Sequence, residues 1–128
     1  MTLPPPPVFR VLLIDDDPAY TEPLEQLFSQ PPFEAKVCWN AEVGLSEAQG
    51  GGYHIIILDV MMPGLHGLTA LKDLKSNPRT SGMPVFLSSS ITDPKLQEQA
   101  LAAGAAGFIP KGLELPKIMS RVRRALRI

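Results

Sequence analysis

The sequence predicts an α/β fold, with five strand–helix repeats folded into a three-layer sandwich around a parallel sheet. Short apolar runs alternate with helical patterns along the whole chain, which is typical of βα units joined by right-handed crossovers. Residues 55–58 are apolar without alternation, as in a strand that helices cover on both faces. The length of 128 residues suits one domain.

The first strand is predicted over residues 9–14, an apolar run that ends in three consecutive aspartates. Asp17 is placed to cap the helix that follows, and Pro18 suits the first turn of that helix. Pro23 lies deeper in the same helix, where a proline removes a backbone hydrogen bond. The sequence therefore leaves open a kink in this helix or a start near Thr21.

The second and third repeats follow the same pattern. Residues 33–39 are predicted as a strand, and residues 41–49 as a short helix that the glycines at 50–52 end. Residues 53–59 form the third predicted strand. Residues 66–75 are predicted as a helix because leucines at helical spacing share one face, namely Leu68, Leu71 and Leu74.

The last two repeats complete the sheet. Residues 84–89 are predicted as the fourth strand, and an Asp-Pro pair at 93–94 then starts a helix that Gly104 ends. Residues 106–110 are a short fifth strand. Residues 115–128 are predicted as an amphipathic helix with a basic face, which carries Lys117, Arg121, Arg123, Arg124 and Arg127.

Composition argues against several environments and functions. The formal net charge of −1 gives no electrostatic reason to expect nucleic-acid contact or membrane attachment. The chain has no apolar run near the ~18 residues that span a bilayer, and its N-terminus lacks a secretion signal. The single cysteine, Cys38, cannot form an internal disulfide, which fits a reducing cytoplasm, and its apolar setting predicts a core residue.

The N-terminus contains four consecutive prolines at residues 4–7. Such a run fits neither a helix nor the interior of a sheet, and it favours a stiff, extended chain. Residues 1–7 are therefore predicted as an extended tail and residues 8–128 as the folded domain.

Polar side chains follow four of the five predicted strands. Carboxylates occupy residues 15–17, Asp59 ends the third strand, serines occupy residues 88–90, and Lys111 follows the fifth strand. Because ligands of open parallel sheets bind at the carboxyl ends of the strands, these groups are expected to share one crevice. Clustered carboxylates require a cation. Oxygen-only ligands select Mg²⁺ or Ca²⁺, and a shallow cluster with room for water favours Mg²⁺. A lysine and a hydroxyl beside such a centre suit phosphoryl transfer, in which a carboxylate can be the nucleophile.

Three segments in order carry a family resemblance. They are the strand ending Leu-Ile-Asp-Asp-Asp at 13–17, the segment Leu-Asp-Val-Met-Met-Pro-Gly at 58–64 with Gly67 beyond it, and Gly-Ala-Ala-Gly-Phe-Ile-Pro-Lys at 104–111. From about residue 9 to the C-terminus, the chain resembles the receiver domains of two-component response regulators. The resemblance implies a flavodoxin-like doubly wound (βα)5 fold with strand order 2-1-3-4-5.

The same resemblance implies a phosphorylation site that uses Mg²⁺ as its cofactor. Asp59 corresponds to the phosphoacceptor. Asp15 and Asp16 correspond to the acidic pair of the metal site, with Asp16 the more direct ligand. The backbone carbonyl of Met61 would be a further ligand of the ion.

The resemblance also implies a switch. Lys111 would pair with the phosphoryl group, and Ser89, thirty residues after Asp59, corresponds to the switch hydroxyl. Ser88 is the weaker candidate because successive strand side chains point to opposite faces. Phe108 corresponds to the aromatic residue whose rotation accompanies switching.

Partners and location follow from the family in the same way. The expected phosphodonor is a sensor histidine kinase or a histidine phosphotransfer protein in the cytoplasm. The expected downstream partner is an effector or output domain that contacts the fourth helix, fifth strand and fifth helix. A phosphorylation-dependent dimer also fits, whereas direct contact with nucleic acid or a membrane is not expected. The chain would then act as a signalling switch rather than as an enzyme.

The chain departs from the family pattern at Gly112, Met61 and Ile91. Gly112 stands where a proline, preceded by a cis peptide bond, usually follows the lysine, and a cis bond before glycine costs ~3 kcal/mol. Met61 and Ile91, two residues after Asp59 and Ser89, are apolar where polar residues can position an attacking water. The sequence therefore predicts slow self-dephosphorylation.

Two other hypotheses remain open from the sequence. A metal-dependent phosphatase of similar fold would need a general acid two residues after its aspartyl nucleophile, and Met61 cannot serve. A pseudo-receiver that binds partners without phosphorylation would lack a working acidic pocket. The sequence also leaves open whether the receiver stands alone or belongs to a longer protein.

Overall fold

The structure is a computed structural model that describes residues 2–62 and 65–128. Met1 of the expected tail, and Pro63 and Gly64 of the segment after Asp59, lie outside the described residues. In the part of the chain that is described, no helix has both the length and the apolar character required to cross a bilayer.

Five strands and five helices alternate along the chain. The strands are β1 (Phe9–Ile14), β2 (Phe33–Cys38), β3 (Ile55–Asp59), β4 (Val85–Ser89) and β5 (Gly107–Pro110). The helices are α1 (Pro18–Leu27), α2 (Ala41–Gln49), α3 (Gly67–Ser76), α4 (Pro94–Ala102) and α5 (Leu115–Leu126).

The strands form one parallel sheet in the order β2-β1-β3-β4-β5, which confirms the expected fold and topology. The chain moves from β1 outward to β2 and then crosses back to β3 on the other side of β1. The carboxyl ends of β1 and β3 therefore flank the point where the direction of winding reverses, and a crevice opens there in doubly wound sheets. Asp15 directly follows β1, and Asp59 is the last residue of β3.

Alternate residues of the central strands supply two separate apolar layers. On one face, Leu12 and Ile56 belong to a cluster that includes residues of α2, α3 and α4. On the other face, Leu13 and Ile57 pack with residues of α1 and α5. Burying each such side chain contributes roughly 1.5–3 kcal/mol, so a sheet covered on both faces is strongly favoured over one exposed to water. Cys38 is a buried core residue, as expected.

Helix α1 begins at Pro18 and not near Thr21, which was the other start that the sequence left open. Asp17 caps it, because the Asp17 Oδ1 atom accepts a hydrogen bond of 3.0 Å from the backbone N–H of Ala19. Pro23 lies inside the helix. The cap and the N-terminal proline together define the start of the helix.

Other predicted boundaries were wrong by one or two residues. The first residue of β3 is Ile55 and not Tyr53, and α5 ends at Leu126 and not at Ile128. Arg127 adopts a left-handed conformation with φ of 58°, which terminates the α-helical hydrogen-bonding pattern of α5. Asp93 caps α4 as predicted.

Candidate functional site

Three aspartates converge at the carboxyl edge of the sheet. Asp15 and Asp16 follow β1, and Asp59 ends β3, so adjacent strands deliver all three carboxylates to one place. One carboxylate oxygen of each lies within 4.8 Å of those of the other two. Asp15 and Asp59 are each 3% exposed, whereas Asp16 is exposed to solvent. The arrangement combines two buried carboxylates with a third at the surface.

Lys111 reaches this cluster from the loop after β5. Its Nζ atom lies 2.9 Å from Asp15 Oδ2 and 3.5 Å from Asp59 Oδ2. The backbone N–H of Lys111 donates a 2.9 Å hydrogen bond to the carbonyl of Ser89, which ties the loop to β4. The Lys111–Gly112 peptide bond is trans, so the lysine reaches the site without the cis bond of the family pattern. The structure thus brings Asp15, Asp16, Asp59 and the Lys111 ammonium group together at one edge of the sheet.

The two buried carboxylates of the site, Asp15 and Asp59, have raised pKa values. Burial is the main cause for Asp59, the charge of Asp15 adds to it, and the pKa of Asp59 is raised to about 6. Burial also raises the pKa of Asp15, although hydrogen bonding to Lys111 opposes the change. For Lys111, burial acts to lower the pKa, but bonding to Asp15 and the charges of both carboxylates outweigh it and raise the pKa. Buried negative charge at this site is therefore only partly compensated by the lysine.

Ser88 and Ser89 point to opposite faces of the sheet, as their adjacent positions in β4 require. Ser89 Oγ accepts a 3.0 Å hydrogen bond from the backbone N–H of Ile91, so this hydroxyl is engaged with its own loop. Ser88 Oγ donates a 3.1 Å hydrogen bond to the hydroxyl of Tyr20. Phe108 is 9% exposed and packs in the cluster on the α4 side of the sheet.

Tyr20 is a residue of the site that the sequence patterns did not predict. This residue lies in the first turn of α1, three residues after the capping Asp17, and its ring centroid is 4.9 Å from the Nζ atom of Lys111. Burial raises the pKa of the Tyr20 hydroxyl. A helical turn that starts beside the acidic residues brings its third residue back toward the strand ends. The spacing of Tyr20 from Asp17 could therefore have predicted that Tyr20 lies at the site.

Gly67 fixes how closely α3 approaches the end of β3. A Cβ atom at this position would lie 2.6 Å from the backbone oxygen of Asp59 and 2.5 Å from the Cα atom of Val60. The backbone N–H of Gly67 donates a 2.8 Å hydrogen bond to the carbonyl of Val60. His66 caps the helix, because its Nδ1 atom accepts a hydrogen bond from the N–H of Leu68. The glycine therefore allows α3 to pack directly against the backbone that carries Asp59.

The donor atoms at the site suit a hard divalent cation. Asp15, Asp16 and Asp59 offer only oxygen, which Mg²⁺ prefers to nitrogen or sulfur ligands. The exposed position of Asp16 leaves one side of the cluster open to water, and Mg²⁺ usually keeps several water ligands. The N–H of Met61 donates a 3.3 Å hydrogen bond to Asp59 Oδ1, which places this residue beside the cluster. The Met61 carbonyl as a ligand stays a prediction.

Comparisons with known proteins agree on one family. A family model described as the response regulator receiver domain matches residues 11–123. The transcriptional activator protein PfeR of Pseudomonas aeruginosa is 32% identical over 92% of this chain, which spans 38% of PfeR. The response regulator PleD of Caulobacter vibrioides is also 32% identical over 92% of this chain, which spans 26% of PleD.

A similar solved structure is the CheX-CheY-BeF3-Mg²⁺ complex from Borrelia burgdorferi. It has a TM-score of 0.84 and 26% identity, with 92% of this chain and 89% of the other chain covered.

Proposed function

This chain belongs to the response regulator receiver-domain family of two-component signalling, and on that premise we propose that Asp59 is its phosphoacceptor. The observation that carries the proposal is the convergence of three aspartates within 4.8 Å, with Lys111 Nζ 2.9 and 3.5 Å from the two buried ones. The phosphodonor is a sensor histidine kinase or a histidine phosphotransfer protein. The similar solved structure whose complex contains BeF3 and Mg²⁺ supports the choice of Mg²⁺ as the cofactor.

Mg²⁺ would be held at this site by Asp15, Asp16 and Asp59 together with the backbone carbonyl of Met61. When bound, Mg²⁺ supplies positive charge that neutralises the phosphoryl oxygens and the carboxylates. Asp16, the exposed member of the three, would be the more direct ligand, as the family pattern implies.

The transfer itself uses the side chains of the chain. A carboxylate oxygen of Asp59 attacks phosphorus in line with the donor nitrogen, the phosphorus–nitrogen bond breaks, and its electron pair stays on the imidazole. The product is an acyl phosphate on Asp59. Lys111 exchanges part of its contact with Asp15 for the new phosphoryl oxygens, so that its charge offsets the charge that the transfer brings into the crevice.

Ser89 and Phe108 convert the new charge into a change of shape. The hydroxyl of Ser89 leaves the N–H of Ile91 and donates a hydrogen bond to a phosphoryl oxygen. Its departure frees space beside β5 that the side chain of Phe108 fills. The surface formed by α4, β5 and α5 then differs between the two states, and a partner that prefers one state reads the difference.

The partner surface carries strong positive charge on its α5 side. No residue of α5 is acidic, and five basic residues lie on or directly after it, namely Lys117, Arg121, Arg123, Arg124 and Arg127. A groove of about 450 Å³ lies beside the helix, with Phe86, Arg121 and Arg124 among its lining residues. A downstream effector or output domain with an acidic and apolar segment fits this surface.

We also propose the bounds, the location and the role of the receiver unit. Residues 8–128 act as the receiver unit and residues 1–7 as an extended tail, within the cytoplasm. The chain promotes its own phosphorylation and dephosphorylation, yet its product is a signal and not a released metabolite. A phosphorylation-dependent dimer fits the same α4-β5-α5 surface.

The test is incubation with Mg²⁺ and a small phosphodonor, such as an acyl phosphate, followed by intact-mass measurement. We expect one added phosphoryl group that disappears in Asp59→Asn and when Mg²⁺ is chelated. Asp17→Asn is the matched control, because Asp17 neighbours the site but caps α1, and asparagine caps equally well. Unmodified wild-type protein in millimolar Mg²⁺, or equal labelling of Asp59→Asn, would refute the assignment.

A further inference from the structure

Tyr20 contacts two residues of the site from the first turn of α1. The face of its ring lies against the ammonium group of Lys111, with 4.9 Å between Nζ and the ring centroid. At the other end of the side chain, the Tyr20 hydroxyl accepts a hydrogen bond of 3.1 Å from Ser88 Oγ. Ser88 is fully buried and pairs with Asp59 across the β3–β4 ladder. The ring is therefore fixed at its hydroxyl end by the strand next to the phosphoacceptor.

The backbone bonds around Lys111 fix its loop but not its ammonium group. The N–H of Lys111 is bonded to the carbonyl of Ser89, and the N–H of Leu113 is bonded to the carbonyl of Pro110, which closes the turn that contains the lysine. A lysine side chain has a flexible four-carbon stem, so an ordered ammonium position requires several contacts. Here the contacts are two carboxylates and one aromatic ring.

We propose that Tyr20 is a positioning residue that holds the Lys111 ammonium, through the face of its ring, at the place where it contacts both Asp15 and Asp59. A cation over an aromatic face gains electrostatic stabilisation, and the gain is larger where water is excluded. The hydrogen bond from Ser88 fixes the orientation of the ring. The role in phosphoryl transfer rests on the function proposed above, whereas the restraint on Lys111 does not depend on it.

The experiment compares Tyr20→Leu, which removes the aromatic face, with Tyr20→Phe, which keeps it and removes the hydroxyl. At saturating Mg²⁺ and phosphodonor, we expect Tyr20→Leu to lower the maximal phosphorylation rate about five- to tenfold and Tyr20→Phe to stay within about twofold of wild type. The Mg²⁺ dissociation constant should change less than twofold in both. An unchanged rate in Tyr20→Leu, or an equal loss in Tyr20→Phe, overturns the proposal.

A double-mutant cycle separates positioning from a general structural effect. In a Lys111→Met background, Tyr20→Leu should cause no further loss of rate, because the group that it positions is gone. Losses that multiply in the double variant would show that Tyr20 acts independently of Lys111 and would contradict the proposal. If Tyr20→Leu does not fold, Tyr20→Met takes its place with the same expectation.

A second measurement tests the contact between Lys111 and Tyr20 even if Asp59 is not phosphorylated. Protons above an aromatic face resonate upfield, so the Hε protons of Lys111 should be shifted upfield relative to those of Lys117, and the shift should persist in Tyr20→Phe and vanish in Tyr20→Leu. Unshifted Lys111 protons in the wild type refute the positioning role itself. Shifted protons in a protein that takes up no phosphoryl group refute the proposed function and leave the contact established.

Discussion

Lys111 and Asp15 form the tighter ion pair of the site, with 2.9 Å between Nζ and Oδ2, against 3.5 Å from the same nitrogen to Asp59 Oδ2. The lysine therefore contacts Asp15 more closely than Asp59, and it leaves the charge of Asp59 less completely compensated. Asp59 is also the carboxylate whose pKa is raised to about 6. The site thus keeps its proposed nucleophile in a buried position where an additional cation would be favourable.

Replacing Lys111 with methionine should destabilise the fold in the absence of divalent cations. The buried carboxylates of Asp15 and Asp59 would lose their partner, and breaking a buried ion pair from one side typically costs ~3–5 kcal/mol. Because protonation of Asp59 relieves part of this, we expect a loss of about 2–3 kcal/mol in the free energy of unfolding at pH 7.5. Mg²⁺ should restore part of the loss. Urea unfolding measures it.

Lys117→Met, on the exposed face of α5, serves as the control and should stay within about 0.5 kcal/mol of wild type. Equal stability of Lys111→Met and wild type would mean that the ion pair contributes nothing.

Asp59→Asn should stabilise the protein above pH 6 when no divalent cation is present. The pKa of Asp59 is about 6 in the fold against an ordinary 3.8, so its protonated form favours folding. The stabilisation that comes from the protonated carboxyl group is fully present below pH 3.8 and is lost as the pH rises through about 6. At pH 7.5 the ionised carboxylate therefore costs up to about 3 kcal/mol, which the neutral amide avoids.

The measurement is the free energy of unfolding of the wild type and of Asp59→Asn at pH 4 and pH 7.5. The gain in stability of Asp59→Asn over the wild type should be small at pH 4 and large at pH 7.5. Mg²⁺ should reduce this gain, because it binds the wild type more tightly. Asp73→Asn, an exposed change on α3, should show no such dependence. A constant difference across this range would contradict the raised pKa.

Gly67→Ala should damage both stability and phosphorylation. The added Cβ atom would overlap the backbone of Asp59 and Val60, and backbone atoms cannot give way as a flexible side chain can. We expect a loss of about 2 kcal/mol or more in stability, in the range for overpacking, and a phosphorylation rate at least tenfold lower. Gly82→Ala is the matched control, because a Cβ atom there meets nothing within 4 Å. Thermal unfolding and phosphoprotein formation measure the two effects, and a wild-type result for Gly67→Ala would show that α3 can retreat from β3.

Met61 and Ile91 should make the phosphorylated protein lose its phosphoryl group slowly. Their side chains are 59% and 54% exposed in the loops after β3 and β4, and neither can bond to an attacking water. We expect a half-life of minutes or longer for the purified phosphoprotein, and a several-fold shorter one in Met61→Asn and Ile91→Gln. Val43→Asn, an exposed change on α2, controls for surface polarity. Release of phosphate measures each half-life, and one of seconds in the wild type would contradict the prediction.

The pattern of residues along the chain is enough to predict the order of elements, the parallel sheet and the meeting of Asp15, Asp59 and Lys111 at the strand ends. Apolar runs of strand length separated by helical patterns allow few arrangements other than a doubly wound sheet. Once the sheet is parallel, its carboxyl ends must meet, so the sequence predicts that Asp15, Asp59 and Lys111 lie together at one edge of the sheet. The capping role of Asp17 was also predictable, because it depends on neighbouring residues only.

How these groups contact one another depends on the packing of the whole fold. Tyr20 and Ser88 are 68 positions apart, and their hydrogen bond depends on how α1 packs against the sheet and on both side-chain rotamers. The closer approach of Lys111 to Asp15 than to Asp59 likewise results from the path of the loop after β5. Sequence patterns report which face a residue occupies, whereas distances of a few ångströms between remote side chains arise from packing, which no local pattern encodes.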